Sequence, residues 1–246
     1  MNSSTDSWGL LFAPQCYDVF DMAVRQAKSR AKSRESERVQ EILKRLVEHY
    51  PDAVCALHFN DPFQLLVATI LSAQCTDARV NMVTPALFKR YPDAAHMSQA
   101  NPEELQDMIR STGFFRNKTK SLIGASKTLV SEFGGEVPRS MEELLRLPGV
   151  ARKTANVVLG TAFEIASGVV VDTHVARVSG RLRLTRHTEP EKIENDLMRT
   201  IPREEWISFA HRLIHHGRRI CRAPKPKCQD CMLTDLCYYY RTEVAS

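Results

Sequence analysis

The sequence predicts an all-α protein of about ten helices. Three observations predict it. Apolar residues recur at intervals of three and four along most of the chain. Asp-Pro and Asn-Pro pairs open apolar runs as N-cap and first-turn residues do. Only 169–171 reads as a strand, and it is too short to build a sheet. Taken in order, Val39, Ile42, Leu43, Leu46 and Val47 make the apolar stripe of the first core helix. Asp61-Pro62 starts a second, and the run 63–71 is apolar on nearly every side, as a central buried helix is. Asn101-Pro102 starts another, with Leu105, Met108 and Ile109 inward. The pattern repeats over 118–133 and stops at Gly134-Gly135. Segments 141–147, 153–163, 174–182, 189–201 and 204–215 complete the set, with no internal repeat and no sustained heptad. Residues 1–37 stand apart as a basic N-terminal arm, mobile or an exposed helix. Their segment Arg25-Gln-Ala-Lys-Ser-Arg-Ala-Lys-Ser-Arg34 is charged and poor in large apolar residues.

A chain of 246 residues suits one large domain or two small ones, and 43% apolar residues are enough to build a core. The net charge of +5 permits a polyanionic partner without demanding one. Its distribution says more: between His211 and Lys227 stand four arginines, two lysines and three histidines and no acid. Such a stretch attracts phosphates, although a solvated basic face reads the same way. No stretch is long and apolar enough to span a membrane, and Asp6, Asp18 and Asp21 break any secretory pattern. Seven cysteines without a secretion signal point to a reducing compartment, where clustered thiols are metal ligands first.

Four features carry chemistry. Cys221, Cys228, Cys231 and Cys237 are spaced C-x6-C-x2-C-x5-C. Short loops let such sulfurs converge on zinc or an iron–sulfur cluster, and spacing alone does not choose. Leu147-Pro148-Gly149-Val150-Ala151-Arg152-Lys153 joins two helices. Its glycine permits a tight turn and close approach of a phosphate, and the amides beyond it form an anion site. That is a helix-hairpin-helix reading, with an ordinary interhelical turn as the alternative. Lys153 opens the second of those helices. The partial positive charge of a helix N-terminus disfavours an ammonium, and a neutral amine can attack a sugar C1′; from position alone, however, a solvated or phosphate-contacting lysine is the stronger reading. In Val171-Asp172-Thr173-His174, Asp172 has N-cap character, but a carboxylate there can also face a cleft and stabilise positive charge on a sugar.

Together these features resemble endonuclease III, a bifunctional DNA glycosylase and abasic-site lyase of the helix-hairpin-helix superfamily. The resemblance runs from about Val39 to Cys237 and extends to Leu71-Ser72-Ala73-Gln74 and Gly113-Phe114-Phe115-Arg116-Asn117-Lys118. It implies that Lys153 is the Schiff-base nucleophile and Asp172 the catalytic aspartate, and that the four cysteines hold one [4Fe–4S] cluster. It also implies that Gln74 fills the hole left by a flipped base, that Phe114 is a second wedge, and that His174, Gly149, Ala151 and Arg152 contact the DNA backbone. The implied fold has two domains: residues 55–168 as a six-helix domain with the hairpin, and 38–54 plus 169–246 as a discontinuous cluster domain. The implied activity is excision of damaged, oxidised pyrimidines from duplex DNA, followed by β-elimination. The implied setting is a monomer in the bacterial cytoplasm, at the nucleoid through DNA binding. Ala151 departs from the family pattern, which often has a second glycine there, with a small expected effect.

Two rival readings exist. An adenine-mismatch glycosylase shares the fold and cluster but lacks the hairpin lysine and carries a further C-terminal domain, whereas this sequence has Lys153 and ends at Ser246. A non-catalytic DNA-binding module needs neither Lys153 nor Asp172.

Overall fold

The computed structural model describes residues 15–245. The first part of the expected arm, 1–14, lies outside them. Among the described residues there are eleven α-helices and no strand. The segment 169–171 is therefore not a strand. It has no ladder partner among the described residues, and Val169 and Val171 are buried.

Seven helices surround one apolar core: α2 (Pro62–Leu71), α3 (Asp77–Arg90), α4 (Ala94–Ser98), α5 (Pro102–Ile109), α6 (Phe115–Phe133), α7 (Met141–Leu144) and α8 (Arg152–Phe163). Helix α2 starts where Asp61 Oδ1 accepts the Gln64 N–H at 2.8 Å, and it is buried on nearly every side between α3, α6 and α8. Helix α5 starts the same way at Asn101, whose Oδ1 accepts the Glu103 N–H at 2.8 Å. Helices α3 and α4 are not expected from periodicity. Pro85 stands inside α3 and interrupts its pattern, yet the Thr76 cap and the buried Val80, Thr84 and Leu87 hold the helix. Helix α4 is short and depends on the Asp93 side chain, which accepts the His96 N–H at 2.8 Å.

A second core is built by α1 (Gln15–His49), α9 (Thr173–Arg181), α10 (Pro190–Thr200) and α11 (Trp206–Arg219). Val39, Ile42 and Leu46 of α1 meet Val175, Val178, Phe209 and Leu213 there. Helix α1 crosses position 37 without a break, so the expected boundary is not a change of backbone. What changes is burial: 32–37 are exposed, and among the described side chains Val39 is the first of the core. Lys, Arg, Ala and Glu are good helix formers, so 32–37 stay helical without burial.

The chain crosses between the cores twice, before α2 and after α8. Two ion pairs also join them. Arg152 of α8 forms a fork to Glu194 of α10, Nε to Oε2 at 2.8 Å and Nη2 to Oε1 at 3.0 Å. Arg218 of α11 meets Asp77 of α3 at 2.7 Å.

Candidate active site

The turn between α7 and α8 is set by buried leucines and by one glycine. Leu144 and Leu147 enter the first core, and the Val150 N–H returns to the Leu147 carbonyl at 3.1 Å. Gly149 has φ +81, and a Cβ on it would lie 2.5 Å from both Cβ and Oγ of Ser121 on α6. Glycine is thus required twice, for its torsion and for packing against α6. Next to it, Pro148 sits against Gly124, one turn along α6. Pro148, Gly149 and Ala151 remain exposed. Ala151 is the N-cap of α8 with ψ 169 and offers no side-chain acceptor, so no side chain caps the first amides of the helix.

Lys153 leaves the first turn of α8 into a cleft between the two cores, with about 190 Å³ of space. Asp172 lines the same cleft, with Thr69, Ser72, His211 and Arg218 among its walls. The chain therefore brings a primary amine and a carboxylate from two helix starts to one cavity. Asp172 is also the cap of α9: its Oδ1 accepts the N–H groups of His174 and Val175, both at 2.8 Å. Capping uses Oδ1 and leaves Oδ2 without that duty. Burial pushes the His211 imidazole below its ordinary range, and neighbouring His215 adds to this. Burial does the same to His174, opposed by the charge of Asp172. His174 Nδ1 lies 3.1 Å from an Arg177 guanidinium nitrogen.

Arg152 has a partner that the sequence reading did not include. Its side chain is 40% exposed, and its guanidinium is engaged with Glu194, which is 5% exposed and also accepts from Asn156 Nδ2 at 2.9 Å. Burying that carboxylate requires its full set of donors, and Arg152 is one of them. A Cβ on Gly168 would fall within van der Waals overlap of Glu194 and Asn156, so the crossing strand of chain closes this network.

Gln74 and Phe114 lie on two exposed turns, and both have left-handed backbones, φ +51 and φ +49. Phe114 is 62% exposed. Left-handed torsions on residues other than glycine cost about 1–3 kcal/mol each and concentrate at functional sites. Behind the turns, the amine of Lys118 is buried and donates to the carbonyls of Leu71 and Thr112, each at 2.8 Å. Lys118 does not line the cleft, which leaves Lys153 as its amine among the described residues.

Cys221, Cys228, Cys231 and Cys237 line a separate cavity beyond the end of α11. Donors point at the sulfurs: Arg181 Nη1 lies 3.2 Å from Cys221 Sγ, and the Leu233 N–H 3.4 Å from Cys231 Sγ. Arg181 in turn stacks on Tyr239 at 4.4 Å.

Comparison with known proteins agrees with this geometry. Residues 67–203 match the model of the HhH-GPD superfamily base excision DNA repair proteins. Endonuclease III of Synechocystis is 58% identical over 201 residues, covering 82% of this chain and 92% of its own. The chain belongs to the endonuclease III family. Endonuclease III of Bacillus subtilis is 46% identical over 196 residues, which are 79% of this chain and 89% of that protein. Two solved endonuclease III structures, each 42% identical, superpose on the fold. A trapped DNA covalent intermediate does so with TM-score 0.80 over 84% of this chain and 97% of that one, and a non-covalent DNA complex with 0.81 over 86% and 99%.

Sequence reasoning missed Glu194 and the pairing of Asp77 with Arg218, and it read His211 only as part of a basic stretch. Nothing in the sequence marks Glu194, which sits between the buried Ile193 and Leu197 as any helical acid might.

Proposed function

We propose that this chain is a base-excision repair enzyme that removes oxidised pyrimidines from duplex DNA and cleaves the abasic site by β-elimination. The observation that carries the reading is that Lys153 and Asp172 line one cleft, beside a hairpin whose helix amides have no side-chain cap. The hairpin, through Gly149, Ala151 and the Arg152 amide, grips a phosphate without reading sequence. His174 adds a contact to the DNA backbone, and Gln74 and Phe114 occupy the stack once a nucleotide has turned out. As the bond between base and C1′ breaks, the sugar gains positive charge that Asp172 stabilises. The Lys153 amine bonds to C1′, and the base departs with the bonding electrons. Opening of the sugar ring then leaves a protonated imine. Loss of the C2′ proton to a base sends electrons toward the imine, and the 3′ phosphate leaves.

The proposed domain division is supported by the two cores: 55–168 would carry the hairpin, and 38–54 with 169–246 Cys221, Cys228, Cys231 and Cys237. The donor set fits a [4Fe–4S] cluster. Four thiols ring one cavity with N–H donors aimed at sulfur. When bound, the cluster would supply a covalent fastening of the loop after α11. No helix of the described residues is long and apolar enough to cross a membrane. Binding to duplex DNA would bring the enzyme to the bacterial nucleoid. Incubation with a duplex oligonucleotide bearing an oxidised pyrimidine, with borohydride present, tests the reading. A protein–DNA adduct through Lys153 is expected. Free base released with no adduct would leave a glycosylase without lyase chemistry.

A further inference from the structure

Lys118 is buried, 5% exposed, in the first turn of α6, and no carboxylate accompanies it. Burial lowers its tendency to hold a proton, opposed by the neighbouring Cys75. A charge kept in such a place needs a reason, since an apolar side chain of similar shape would fill the space. Its two partners supply one. Leu71 is the last residue of α2, and Thr112 the last of the 3-10 turn Arg110–Thr112. Both carbonyls lie at helix ends, where backbone negative charge gathers and an ammonium is favoured. From these two atoms the chain runs directly into the strained turns. Gln74 follows Leu71 by three positions, Phe114 follows Thr112 by two, and each has positive φ. No side chain caps the Phe114 turn, and among the described residues the Gln74 side chain makes no hydrogen bond within the protein. One ammonium thus ties the roots of two exposed turns that are distant in sequence.

We propose that Lys118 is a positioning residue that fixes the Gln74 and Phe114 turns relative to one another, so that both side chains enter the duplex in one motion. The proposal rests on the reading of those two residues as wedges. Lys118 touches no reacting atom. Its effect is confined to substrates in which a base stack must be opened, and it vanishes when the wedges are gone.

The test uses the full chain with its cluster. Lys118→Met keeps the stem and removes the donors. Excision of an oxidised pyrimidine from duplex DNA is expected to slow by about tenfold or more, the scale of a lost hydrogen bond to a charged group. Cleavage of a single-stranded abasic oligonucleotide is expected to stay within about twofold, since the Lys153 chemistry is untouched. In a Gln74→Ala/Phe114→Ala background, Lys118→Met is expected to add almost nothing. Equal losses on both substrates, or an undiminished loss in that background, would overturn the proposal. If Lys118→Met does not fold, Lys118→Gln replaces it, and amide hydrogen exchange at 72–75 and 112–115 is followed. Faster exchange in both turns together supports the tie, and a change in one or neither refutes it. If Gln74→Ala and Phe114→Ala themselves fail to separate duplex from single-stranded substrates, the wedge reading is what fails, and the exchange result still decides the tie.

Discussion

At the scale of single residues, Asp172 and Lys153 separate by experiment. Asp172 caps α9 through one oxygen, and an asparagine carries an equivalent acceptor. Asp172→Asn is therefore expected to fold and to bind damaged DNA, while excising bases at least ~100-fold more slowly, the usual scale for one electrostatic group. Asp172→Ala loses the cap as well and costs about 1 kcal/mol of stability, which urea denaturation resolves. Lys153→Gln leaves the hairpin amides in place. It is expected to bind abasic DNA but to give no borohydride adduct and no efficient strand cleavage; an adduct formed at the parent rate would move the nucleophile elsewhere. His211 gives a pH prediction. Burial holds its imidazole below the ordinary value of 6.5, so the unfolded chain takes up a proton first as pH falls. The stability from its neutral form is present above that value and is lost below it. Comparing urea midpoints at about pH 8 and about pH 5, the drop should be smaller in His211→Gln than in the parent.

At the scale of elements, three helix starts were legible from their capping residues. Asp61-Pro62, Asn101-Pro102 and Asp172 each cap a helix within a residue or two of the expected place. Helices α3 and α4 were not legible. Proline interrupts one and the other is short, so tertiary burial decides them. The hairpin was legible as a motif, but its glycine serves two ends. Gly149→Ala meets both a positive φ and the Ser121 side chain. A loss of about 1–3 kcal/mol is expected, with weaker DNA binding as the turn shifts. Thermal melting and a binding titration report the two separately, and a variant as stable as the parent would mean that α6 yields. Glu194→Gln halves the fork that anchors α8 to the second core. It is expected to slow abasic-site cleavage through displacement of Lys153, although position 194 is remote in sequence from the hairpin.

For the whole molecule, the two cores, the cleft between them and the basic stretch after His211 decide how the enzyme meets DNA. Affinity for duplex is expected to fall steeply with salt and to depend little on surrounding sequence, because counterion release drives the binding. Strong discrimination among undamaged duplexes in a fluorescence titration would contradict that. Cys228→Ser or Cys231→Ser is expected to lower stability or DNA affinity, since a lost ligand frees the loop beyond α11. Iron and sulfide analysis beside the melting curve checks the cause. The sequence by itself determined the helical class and the four clustered thiols, because helix period, capping and ligand spacing are written over short stretches of chain; it marked the hairpin, Lys153 and Asp172 through the family resemblance. Tertiary structure alone decided that Arg152 pairs with Glu194, that Lys118 donates to the roots of two turns, and that Lys153 and Asp172 share a cleft. Those outcomes depend on which buried charge finds which partner across long separations, and a linear pattern carries no record of distance in space.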